Sequence, residues 1–154
     1  MGNNTPLGQE AKSYIEKGEL VPDSVTIGML RNKVEMHPQA EGFIFDGFPR
    51  NVHQAEALDQ LLQEKGESVT ALMALDVDDE EIVKRILLRG ATSGRADDND
   101  ESIIRNRIDV YNRETAPVFD FYAQSGKSVK VDGIGTIEEI FNRLKREINR
   151  LAGK

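Results

Sequence analysis

Cysteine is absent from this 154-residue chain, histidine occurs only at His37 and His53, and no apolar run approaches the length of a membrane span. Each scarcity excludes a class of protein. Without thiols there is no disulfide framework and no thiolate metal site, which suits a reducing compartment. The two histidines stand far apart, in poor metal-ligand spacing, and read as surface or loop residues. A membrane helix needs about 18 or more apolar residues. No basic start followed by an apolar stretch marks a secretion signal, so the expected location is cytoplasmic, with no membrane partner. Positive charge is in deficit too: 20 Lys and Arg stand against 27 Asp and Glu, for a net charge of -7. Nonspecific binding to nucleic acid, which demands a positive footprint, is therefore not expected. Any anion bound here must be met by a local basic cluster.

What is present suits one soluble globular domain, with 38% hydrophobic and 31% charged residues. Thr5 and Pro6 open a predicted helix with an apolar face of Leu7, Ala11, Tyr14 and Ile15, stopped by Gly18. Asp23 is placed to cap a second helix that ends at His37-Pro38. Residues 42–46, GFIFD, form a short apolar run of the kind buried on both faces of a parallel sheet. A helix closed by Gly66, a strand in VTALMALDV, a helix in DDEEIVKRILLRG and the polar loop ATSGRADDND follow. A long helical stretch from Glu101 is expected to bend at Ala116-Pro117. KSVKVDG gives another strand, and Thr136 with Glu139 makes a capping box for the last helix. Strands alternating with helices predict an α/β fold, a parallel sheet with flanking helices. Ligands in such folds sit where strands end, which puts Asp46, Asp76 and Asp132 along one edge.

The basic cluster that an anion would need is found among the arginines. Arg85 and Arg89 share a helix face, Arg95 lies in the glycine-containing loop beyond, and Arg107 follows on the next helix, with Arg105 pointing elsewhere. With Arg50 after GFIFD, five guanidiniums are able to converge on one cleft and meet phosphate oxygens. Asp97 and Asp98 stand beside Arg95, in position to pair with arginines across a closing cleft.

GFIFDGFPRNVHQAEALD, RGATSGRADDNDESIIRNRIDVYNRETAPV and VKVDGIGTIEEIF together resemble the nucleoside monophosphate kinases, and specifically adenylate kinases with a short lid. The resemblance runs from Thr5 to the end and covers one domain, residues 1–154. It implies an AMP-binding helical region at 5–41, a short lid at 91–98 and the reaction ATP + AMP = 2 ADP, carried out by a monomer. Residue by residue, it implies that Arg50 binds the AMP phosphate and Gln54 reads the AMP base. Asn51 follows the arginine too closely to share that pocket. Backbone at Glu19, Leu20 and Val21 would line the adenine, and Gly47, Phe48 and Pro49 would bring main chain to the nucleotide. Arg89 and Arg95 would contact ATP phosphates, Arg107 would bridge donor and acceptor phosphates, and Arg85 would serve near the ATP base or phosphates. Gly135 would touch ATP through its backbone, and Asp46 would order water around a Mg2+ that arrives with ATP. No zinc is expected, because the lid lacks a metal-binding insert.

The same pattern calls for a strand and a glycine-rich phosphate loop, about forty residues, ahead of Thr5. The expectation is therefore an N-terminally truncated form of the fold. One echo, FYAQSGKS at 121–128, fails the G-x-x-x-x-G-K-[ST] pattern because Phe121 replaces the first glycine. It also runs from helix to strand, the reverse of a phosphate loop, so Gly126 reads as a helix stop. Without the loop, weak or no turnover is expected of this chain, along with unpaired strand edges next to residues 42–46. A UMP/CMP kinase and a non-catalytic nucleotide-binding module are the alternatives.

Overall fold

The structure, a computed structural model, describes Tyr14, Ile15, Lys17 and residues 19–153. Most of the helix predicted from Thr5 to Gly18 lies outside the described residues, although Tyr14 and Ile15 are helical. Helix α1 spans Asp23–Glu35, with Pro22 rather than Asp23 at the N-cap. Asp23 occupies the first turn, where its charge suits the positive helix end. Its carboxylate is taken by donors from the next helix, which outcompete the local backbone N–H groups as cap partners. Helix α2 spans Val52–Gln63, with the Asn51 side chain accepting from the Gln54 N–H at its start. It is followed by Gly66 at φ 74°, the left-handed conformation a helix stop requires.

Strands β1 (Leu72–Asp76) and β2 (Ser128–Asp132) pair in parallel, with Leu72 opposite Ser128 and Asp76 opposite Asp132. Between them run α3 (Asp79–Ser93), a 3-10 turn (Ala96–Asp98), α4 (Glu101–Val110), a π-helical turn (Tyr111–Thr115) and α5 (Ala116–Ala123). The result is an α/β fold: a parallel sheet of two strands with flanking helices. The expected bend falls at the π-helical turn just before Ala116-Pro117. Pro117 has no N–H to donate, so the helix widens in the turn before it. Gly126 at φ 69° ends α5, and the Lys127 N–H returns to the Tyr122 carbonyl, as expected of a helix stop.

The predicted strand at 42–46 does not form. The segment is extended but unpaired, with Ile44 91% exposed and the Phe43 and Phe45 rings stacked on one side, 6.0 Å between centroids. The sheet contains only β1 and β2, so residues 42–46 have no ladder partner and no covered face among the described residues. Asp46 therefore does not close a strand, whereas Asp76 and Asp132 end theirs side by side.

Two apolar clusters hold the helices in place. Ala55, Val118 and Tyr122 bring α2 and α5 together over Leu72 of β1. Val83, Ile104 and Ile108 join α3 to α4. Helix α6 (Ile137–Ala152) starts with the predicted capping box and packs against β2, but none of its residues is fully buried. No helix of the described residues is long and apolar enough to cross a membrane.

Candidate active site

Helix α3 runs three residues beyond Gly90, into the stretch read as loop, and ends at Gly94, φ 67°. Gly90 is thus not a stop but a packing position. A Cβ there would lie 2.7 Å from the Asp98 carbonyl and 2.5 Å from Asn99 Oδ1. This close approach seats the 3-10 turn on α3 and places the carboxylates of Asp97 and Asp98 among three arginines. Arg89 of α3 donates from Nε and Nη2 to the two oxygens of Asp98, both at 2.8 Å. Arg95 makes the matching fork to Asp97, at 3.1 and 2.7 Å. Arg107 of α4 donates from Nη1 to both acids, at 3.0 and 3.2 Å. The Ser93 hydroxyl completes the shell of Asp98 at 3.0 Å. The Arg89 hydrogen bonds, opposed by desolvation, hold the Asp98 pKa at about 2, and those of Arg95 lower that of Asp97. The guanidiniums of Arg89 and Arg95 are pushed up in return.

Arg50 is the counterpart without an acid. Its Nε donates to the Gly47 carbonyl at 2.7 Å across a turn in which Gly47 adopts φ 68°, and the Phe48–Pro49 peptide is cis. The residue presents surface to solvent, yet protein around the guanidinium costs it enough solvation to lower its pKa. Arg107 and Arg95 add to that shift by repulsion, partly offset by Asp46. Like charges brought together without a compensating acid favour an anion between them. Arg105, as expected, points away, to Glu80 and Glu101.

A cleft of about 370 Å³ opens beside this cluster, lined by Glu19, Leu20, Val21, Asn51, Asn106 and Arg113 among others. Asn51, excluded from the pocket on grounds of sequence proximity to Arg50, lines it. The N-cap position turns the Asn51 side chain back across the helix start, toward Asp23 at 2.9 Å. Gln54 is 1% exposed, and its carboxamide is engaged by protein: Nε2 donates to Asp23 at 2.7 Å and Oε1 accepts from the Arg50 N–H at 2.8 Å. Burial opposes the charge on Asp23, but hydrogen bonds from Asn51, Gln54 and His53 outweigh it and lower its pKa. Asn106, Arg113 and Thr115, which donates to the Arg50 carbonyl at 2.7 Å, were not legible as site residues. Their helix makes the connection only through its tertiary course.

Arg85 does not join the other four arginines. It pairs with Glu81 and donates to the Gly133 carbonyl at 2.8 Å, tying α3 to the loop that carries Gly135 at φ 124°. Asp46 is exposed and makes no hydrogen bond or ion pair among the described residues. No group of three or more acids or histidines among those residues is arranged to hold a metal ion.

The family model described as adenylate kinase matches residues 1–127. The adenylate kinase of Flavobacterium psychrophilum is 52% identical over 97% of this chain and 78% of its own length. That of Parabacteroides distasonis is 50% identical over 98% of this chain and 79% of its own length. That of Leptospira biflexa is 46% identical over 95% and 78%. Identity at this level over nearly the whole chain, together with the clustered arginines, means that the chain belongs to the adenylate kinase family.

Proposed function

We propose that these residues serve reversible phosphoryl transfer between adenine nucleotides, ATP + AMP giving 2 ADP, in a monomer. AMP occupies the cleft at Glu19–Val21 with its phosphate on Arg50, and ATP phosphates face Arg89, Arg95 and Arg107. In the forward step an AMP phosphate oxygen forms a bond to the γ-phosphorus of ATP, and the bond to the bridging oxygen breaks, leaving ADP on both sides. Such transfer needs little covalent help and much positioning and charge stabilisation. Arg107 is suited to both phosphates because it stands between the acid-paired arginines and Arg50. The single observation that carries this reading is the convergence of Arg50, Arg95 and Arg107 on one side of the cleft.

The residues present fit a Mg2+ carried by the nucleotide. They offer no metal cage, and the uncommitted Asp46 carboxylate at the cluster is able to accept hydrogen bonds from metal-bound water. When bound, the ion neutralises phosphate charge. Gly135 and Arg85 belong to the ATP side, and residues 91–98 form the lid whose closure excludes water.

The test is ADP formation from ATP and AMP, with AMP, CMP and UMP compared as acceptors. These 154 residues contain no glycine-rich phosphate loop, and we expect turnover below about 1 per second, near the bottom of the usual enzymatic range. AMP binding should be lost in Arg50→Ala. Binding without transfer would favour the non-catalytic module. The UMP/CMP kinase reading is kept by one observation: Gln54 must exchange a partner before it reads any base.

A further inference from the structure

We propose that Asp98, with Asp97 beside it, is a positioning residue that holds three arginine forks with a free edge turned to phosphate. The inference rests on the reading that these arginines meet nucleotide phosphates. Arg89 and Arg95 each spend Nε and Nη2 on an aspartate, and Arg107 spends Nη1 on both. That leaves Nη1 of Arg89, Nη1 of Arg95 and Nε and Nη2 of Arg107 without a protein hydrogen-bond partner among the described residues. Each planar guanidinium is therefore fixed along one edge and available along another, the arrangement a preorganised anion site requires. The three forks come from α3, the 3-10 turn and α4, so a shared acid is what ties their orientations together.

The arrangement is rigid where it must be. Asp98 is 0% exposed and receives donors from Arg89, Arg107 and Ser93. Its backbone rests against the bare face of Gly90. Three guanidiniums against two carboxylates leave one positive charge in excess, and Arg50 adds another. The pair of acids thus weakens the field that attracts a phosphate while improving the geometry that receives it. These two effects predict opposite signs, which makes the inference testable.

The experiment is calorimetric titration of the 154-residue chain with ADP, comparing wild type, Asp98→Asn, Asp97→Asn and Arg50→Ala. Arginine Nε–H NMR serves as the orientation readout. Each Asn variant raises the local positive charge by one, so a purely electrostatic role predicts tighter ADP binding. Positioning predicts weaker binding, by about tenfold for Asp98→Asn, the worth of roughly one charge-assisted hydrogen bond. The slowly exchanging Arg89 Nε–H signal should be lost at the same time. ADP binding as tight as wild type or tighter in the Asn variants, with Arg50→Ala still weakened, overturns the inference alone. If wild type does not bind ADP, the phosphate reading fails and the inference falls with it. Should Asp98→Asn not fold, the less central Asp97→Asn decides, with loss of affinity expected and a gain refuting it.

Discussion

At Asp98 a fully covered carboxylate lies only just beneath the surface, its charge set by its arginine and serine partners rather than by depth. Its pKa is about 2 folded, against an ordinary 3.8. A depressed folded value means that the ion pair's full contribution is present above the unfolded value. That contribution is lost as pH falls from about 4 towards 2. Asp97 and Asp23 shift in the same direction. Thermal melts between pH 5 and 2 should therefore show a steep loss of stability below pH 4. Asp98 supplies at most about 2 kcal/mol of it, and a flat profile would refute the assignment. Gly90→Ala tests the neighbouring contact, since its Cβ meets the Asp98 backbone. Overpacking there should cost about 1–3 kcal/mol in chemical denaturation. Gln54 shows where residue-level reading stops: a planar amide suits an adenine edge, but its partners in this fold are Asp23 and the Arg50 backbone.

Among the elements, local signals read well wherever the partner lay within a few residues. The Thr136–Glu139 capping box, the Gly66 and Gly126 stops and the widened turn before Pro117 all follow from chemistry spanning one or two turns. Residues 42–46 read wrongly because a buried strand is defined by neighbours, and an apolar run by itself supplies none. Helix α6 makes a related point: it has an apolar stripe, yet Ile137 is 90% exposed. Ile137→Ala should shift stability by less than about 0.5 kcal/mol. Val118→Ala, inside the α2–α5 cluster, should cost about 1–3 kcal/mol by the transfer and cavity terms for lost methyl groups. Equal effects in urea denaturation would contradict the packing described.

For the molecule as a whole, two strands and two separate apolar clusters divide the stability unevenly. Native-state hydrogen exchange should find the β1 and β2 amides that bond across the ladder protected, and those of residues 42–46 exchanging at nearly unfolded rates. Comparable protection in both would mean that 42–46 is paired after all. The sequence by itself determined the α/β class, the helix ends and the arginine and aspartate repertoire, because these depend on periodicity, capping chemistry and residue type. Only the tertiary structure decided that Asp97 and Asp98 clamp Arg89, Arg95 and Arg107, that Arg85 turns to the Gly133 loop, and that Asn51 lines the cleft while Gln54 lies buried. Those outcomes depend on the close approach of the 3-10 turn to Gly90 and on the contact of α1 with α2. Such distances are set by packing between elements remote in sequence, and no local pattern encodes them.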